Sequence, residues 1–165
     1  MTLHELAKYV DDINTLNGFD KPTWENLPVK VMMVVTEVDE LENSLNYHPK
    51  SEAAKELADV AIRLMSLLHS VWGDKWELRQ RNFGSFAFQH VPAVVLWPLL
   101  KLLCSSVELW RNDDRRGTEY SLGKALSEVF GLAKYWKFDL EKEIKLKADF
   151  NKERGYLHGK VRSEG

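Results

Sequence analysis

The stretch from Leu27 to Gly73 constrains this chain most, because two long helical apolar patterns are separated there only by Tyr47-His48-Pro49-Lys50. Val31, Val34, Val35, Val38, Leu41 and Leu45 recur at helical spacing in the first segment; Leu57, Val60, Ala61, Leu64, Leu67 and Leu68 do so in the second. A connection this short between two helices favours adjacent, antiparallel packing. Pro28 suits a first helical turn, Ser51 is the expected N-cap of the second helix, and Gly73 is its expected stop.

Each helix carries an acidic pair at i, i+3: Glu37 with Glu40, and Glu56 with Asp59. That spacing puts both members on one face, with Cβ atoms roughly 5–6 Å apart. Antiparallel packing lets the two pairs face each other. A solvated charged face interleaves signs, yet no cation stands three or four residues from Glu37, Glu40 or Glu56, and only Asp59 has basic neighbours, Lys55 and Arg63. Two carboxylates about 5 Å apart repel by about 3 kcal/mol at an effective dielectric near 20. Four together call for a compensating cation. An all-oxygen set suits Mg²⁺ or Mn²⁺ and lacks the Cys and His that zinc favours. The alternative is an acidic surface stripe paired with Lys or Arg from elsewhere in the chain.

The rest of the chain is also helical in pattern, and the expected fold class is all-α. Thr2 to Leu16 reads as an amphipathic helix ended by Asn17-Gly18, and Phe19 to Asn26 as a connector. Asp74 to Asn82 is expected to add a turn or two, and Phe83 to His90 to form a loop. A helix follows from Pro92 to about Asn112, bent or broken near Pro98. Asp113 to Gly117 reads as a polar turn. Leu122 to Arg154 reads as one long helix or two, with Leu126, Val129, Phe130, Ala133, Trp136, Leu140 and Ile144 on one side. Residues 1–160 form one expected domain, with 161–165 a frayed tail.

The second half also resembles the first. Glu108 lies 71 positions after Glu37 in a similar setting, and Glu128 lies 69 after Asp59, whereas Arg111 and Ala125 replace Glu40 and Glu56. Such a pseudo-repeat pairs two helical hairpins into a four-helix core with one acidic hairpin.

A length of 165 residues suits one domain with a real core. The net charge of −2 argues against broad binding to nucleic acid or anionic membrane. The apolar run Val91–Cys104, broken by Lys101, falls short of the ~20 residues that span a bilayer. Cys104, the single cysteine, is expected as a small buried hydrophobe in a reducing, cytoplasmic setting.

Glu37-x-x-Glu40 followed by Glu56-Leu57-Ala58-Asp59 resembles the signature of the all-α nucleoside triphosphate pyrophosphohydrolases of the MazG-like group. Lys147-Ala-Asp-Phe-Asn151-Lys-Glu-Arg154 and then His158-Gly159-Lys160 resembles that family's basic C-terminal segment, in the same order. Thr36 departs from the pattern, since many members carry a further Glu there, and the number of metals stays open. The resemblance implies Mg²⁺-dependent hydrolysis of a nucleoside triphosphate to the monophosphate and pyrophosphate, by an enzyme that works as a homo-oligomer, a dimer first. It implies Glu37, Glu40, Glu56 and Asp59 as metal ligands and catalytic groups.

Lys147, Asn151 and Arg154 share one face of the last helix, and with Lys160 they are the expected phosphate-binding residues. A helix C-terminus also favours basic residues for its dipole. Trp24, Trp72, Trp76 and Trp110 are core residues first and base-stacking candidates second. Asn14 and Asn17 could read a base edge, though a solvated face and a helix stop are their simpler roles. His69 and His90 are expected to be structural and His158 to lie near the phosphates. Two other activities stay open: a non-catalytic helical interaction module, and a phosphoribosyl-ATP pyrophosphohydrolase-type reaction. A di-iron bundle needs Glu-x-x-His tetrads, and the chain has none.

Overall fold

Helical periodicity resolves into α1 (Leu3–Leu16), α2 (Leu27–Tyr47), α3 (Lys50–Trp72), α4 (Pro92–Arg111), α5 (Arg115–Trp136) and α6 (Leu140–Arg154). The computed structural model describes residues 1–78, 92–154, 156–157 and 160–161. A 3₁₀ turn at Gly73–Lys75 follows α3, and two-residue strands β1 (Tyr156–Leu157) and β2 (Lys160–Val161) pair antiparallel after α6. The fold is an all-α bundle. The expected loop at Phe83–His90, His158 and residues 162–165 lie outside the described residues; Val161, expected in the tail, pairs with Tyr156.

α3 is the axis of the packing. It contacts α1, α2, α5 and α6, and twelve of its residues between Ala53 and Leu68 are buried. A helix surrounded on so many sides must be apolar around most of its circumference, and Leu57, Leu64, Met65 and Leu68 are fully enclosed. α2 and α3 form one hairpin and α4 and α5 a second; α2 meets α4 and α3 meets α5. These four contacts close the expected four-helix core. α1 and α6 lie against α3 and touch each other. Tyr9 Oη donates to Asp149, and Asn17 Nδ2 donates to the Asn151 carbonyl at 2.7 Å, so the end of α6 is fastened to α1.

Local signals set most helix ends. Thr2 and Glu5 form a reciprocal capping box at α1 (Glu5 N–H to Thr2 Oγ1, 3.2 Å; Thr2 N–H to Glu5 Oε2, 2.6 Å). Gly73 ends α3 with φ +60°. Ser51 does not cap α3: the helix begins at Lys50, Pro49 is the N-cap, and Ser51 is exposed in the first turn. The polar turn before α5 is shorter than expected, because Asp114 accepts the Gly117 N–H at 2.8 Å and draws Arg115 to Gly117 into the helix.

The 122–154 segment is two helices. Lys137 takes φ +60°, and the Phe138 N–H reaches back to the Ala133 carbonyl at 2.8 Å, closing α5 in the left-handed manner usually given to glycine. Asp139 then accepts the Lys142 N–H at 3.2 Å to start α6. α4 continues through Pro98 without a break.

Cys104 corrects another expectation. It is exposed on α4, while Leu96, Leu99 and Leu103 take the buried side. Trp24, Trp72 and Trp110 are half-buried and pack against the core, and Trp97 is exposed. Trp24 sits 6.2 Å from Trp72 and 6.4 Å from Trp110, whose Nε1 donates to the Trp24 carbonyl. Trp76 is fully buried against His4.

Gly123 of α5 meets the turn after α3 closely enough that a Cβ would lie 2.5 Å from the Glu77 carbonyl oxygen. Glu119, one turn earlier, accepts the Glu77 N–H at 3.1 Å. Alanine normally favours a helix over glycine by about 1 kcal/mol, but here the added methyl forces backbone apart. Gly123→Ala is expected to lower unfolding free energy by about 1–3 kcal/mol in a denaturant titration, instead of raising it.

Candidate metal and phosphate site

The α2–α3 hairpin brings Glu37, Glu56 and Asp59 together, with one carboxylate oxygen from each lying within 4.8 Å of the others. All three are half-buried. Glu40 is not among them. It is exposed on α2, outside the group. Thr36 is also exposed, and its hydroxyl donates to the Met33 carbonyl at 2.8 Å.

Two cations reach the cluster from inside the protein. Arg63 Nε donates to Glu37 Oε1 at 3.0 Å, across the hairpin. Sequence spacing placed Arg63 beside Asp59, yet its partner is on the other helix. Lys147 of α6 bonds Asp59. Lys55, the other basic neighbour of Asp59 in sequence, pairs instead with Glu52 at 2.7 Å near the surface. Glu56 has neither an ion pair nor a hydrogen bond from the described side chains. Thus two of the four acids are matched and two are not.

Burial and crowding disturb the protonation of this group. Burial, opposed by Lys147, pushes the Asp59 carboxyl from 3.8 up to about 6, with Glu37 and Glu56 adding to the rise. Glu56 is raised as well, first by burial, then by the charges of Glu40, Glu37 and Glu52 against the pull of Lys147. A carboxylate that resists ionisation beside a bound lysine is a site short of positive charge.

The expected phosphate-binding residues divide. Lys147 is at the acids, not apart from them. Asn151 is half-buried, and its carbonyl takes the Asn17 amide. Arg154 ends α6 and Lys160 lies in β2, and the side chains of both lie outside the described residues. The donor set of the cluster is all oxygen, as Mg²⁺ or Mn²⁺ prefers. The Lys147 ammonium already seated on Asp59 marks the place as one that accepts a cation.

A cleft opens on the far side of Arg63. It encloses about 60 Å³ and is lined by Asn14, Phe19, Lys21, Lys30, Met33 and Arg63, with Asp11 at its base. The Arg63 guanidinium stands 6.0 Å from the centre of the Phe19 ring. Asp11 is 4% exposed, and its Oδ1 accepts the hydroxyls of Ser66 (2.8 Å) and Ser70 (2.6 Å). Sequence reading passed over Asp11; its signal was the Ser66, Ser70 pair at i, i+4 on α3. Asn14 faces this cleft, whereas the Asn17 amide is committed to α6.

The sign of the Asp59 shift sets a stability profile. Its folded pKa exceeds its unfolded value, so its contribution is fully present below about 3.8 and is lost as pH rises through about 6. The size of the loss is up to about 3 kcal/mol. Melting curves of chelator-treated protein are expected to show this decline, and Asp59→Asn is expected to flatten it. No protein-family model, curated protein or solved structure matches this chain.

Proposed function

We propose that this chain is a Mg²⁺-dependent nucleoside triphosphate pyrophosphohydrolase, releasing nucleoside monophosphate and pyrophosphate. The observation that carries the reading is the convergence of Glu37, Glu56 and Asp59 from two consecutive helices, with the Lys147 ammonium bonded to Asp59. Glu37-x-x-Glu40 and Glu56-x-x-Asp59, followed by the basic α6 segment in order, support it from the sequence side.

In this reading Glu37, Glu56 and Asp59 hold the ion, and Glu40 lies outside that group at the solvent edge. Bound Mg²⁺ supplies charge neutralisation at the phosphates and acidifies a water for attack. Glu56, the acid of the cluster with no ion pair or hydrogen bond from a described side chain, is the one suited to orient a water as well as to hold the ion. Lys147 offers a point charge to the phosphate oxygens. The cleft beside Arg63 offers Phe19 and Met33 as apolar surface and Asn14 as a polar edge for the nucleoside. Manganese serves the same donor set, and a homodimer is the expected assembly.

A second reading is a non-catalytic helical module. The pairing of Glu37 with Arg63 and of Asp59 with Lys147 favours it, since those two acids already have counter-ions. No described helix is long and apolar enough to cross a membrane.

Incubation with Mg²⁺ and a panel of ordinary and modified nucleoside triphosphates, followed by product separation, tests the proposal. Monophosphate plus pyrophosphate is the expected outcome, with turnover reduced roughly a hundredfold or more in Glu56→Gln. Mg²⁺ is also expected to raise the melting temperature of the wild type by ligand linkage. Diphosphate plus phosphate would overturn the pyrophosphohydrolase reading, and no turnover with no Mg²⁺ effect on melting would favour the interaction module.

A further inference from the structure

Lys147 has two places to put its charge. In the structure it bonds Asp59, and its side chain is 29% exposed. It also lines an open groove of about 330 Å³ with Lys55, Glu143, Leu146 and Phe150. Glu143 lies one turn before Lys147 on α6, in the Glu-then-Lys order at i, i+4 that suits an ion pair. Glu143 is half-buried and makes no ion pair with a described residue. A rotation about the flexible lysine stem therefore exchanges one carboxylate for another.

Charge balance says when that exchange occurs. The three clustered carboxylates face two protein cations, Arg63 and Lys147, which leaves one negative charge. A divalent ion added with both cations in place makes a half-buried site net positive and sets the ion beside an ammonium. Releasing Lys147 while Arg63 stays makes it neutral. Arg63 is the less mobile of the two, since it is held between Glu37 and the Phe19 ring and forms a wall of the nucleoside cleft.

We propose, resting on the metal-binding reading above, that Lys147 is an exchangeable internal counter-ion. It neutralises Asp59 in the cation-free protein, and a divalent ion displaces it toward Glu143 and the groove, where it meets the phosphates. Lysine and metal then compete for Asp59, and metal entry is coupled to the presentation of Lys147 to substrate. Lys147 is in this respect a positioning residue as well as a phosphate contact.

The test is Mg²⁺ binding without nucleotide, by calorimetry, on the full chain. Lys147→Met removes the competitor and is expected to tighten Mg²⁺ binding roughly five- to a hundredfold, while Lys147→Arg keeps the wild-type affinity. In wild-type protein the ¹⁵N signal of the Lys147 ammonium is expected to move with the same Mg²⁺ isotherm, a readout that needs no variant to fold. Unchanged or weaker binding by Lys147→Met, or an ammonium signal that stays still while Mg²⁺ binds, overturns the exchange alone. A wild type that binds no Mg²⁺ overturns both the exchange and the metal-binding reading beneath it.

Discussion

The site depends on the difficulty of placing charge on a helix that has almost no outside. α3 touches four other helices, so any ionisable group along its buried length must find its partner within the protein or give up its charge. Asp59 shows both responses at once: it bonds Lys147, and its pKa still rises to about 6. The same helix sends Arg63 to Glu37 and offers Ser66 and Ser70 to Asp11. These polar groups of α3 meet α1, α2 and α6, while its leucines enter the apolar core.

The acidic group and the cleft lie back to back. Arg63 belongs to both, binding Glu37 with Nε while its guanidinium forms part of the cleft wall near Phe19. One side chain thus separates the acidic group from the cleft. The second hairpin offers a contrast. Glu108 is exposed and satisfied by Arg111 at 2.9 Å on its own helix, an ordinary surface pair.

Much of this was legible from residue spacing. The α2–α3 hairpin followed from two apolar stripes and a four-residue connection, and three of the four singled-out acids meet as the i, i+3 pairs implied. What could not be read depended on geometry between helices. Arg63 stands one turn from Asp59 in sequence, but the hairpin brings Glu37 nearer to it. Glu40 has the right spacing and stays outside the group. The α5–α6 break was obscured because a lysine occupies the left-handed position, where a glycine would have announced it. Cys104 fell in an apolar run whose buried side is set by Leu99 and by Leu103, its immediate neighbour.

The fastening of α6 to α1 has a temporal consequence. Tyr9–Asp149 and Asn17–Asn151 join residues more than a hundred positions apart, and Lys147 rides on the helix they anchor. A nascent chain emerging from the ribosome completes its acidic hairpin long before that helix exists. For that interval Asp59 lacks Lys147, and its carboxyl must stay protonated, remain hydrated in a loosened hairpin, or borrow an ion from the surrounding solution. Closure of the last helix over the first would then be the event that seals the charge inside, making this late, long-range clasp a checkpoint on maturation as well as a packing contact.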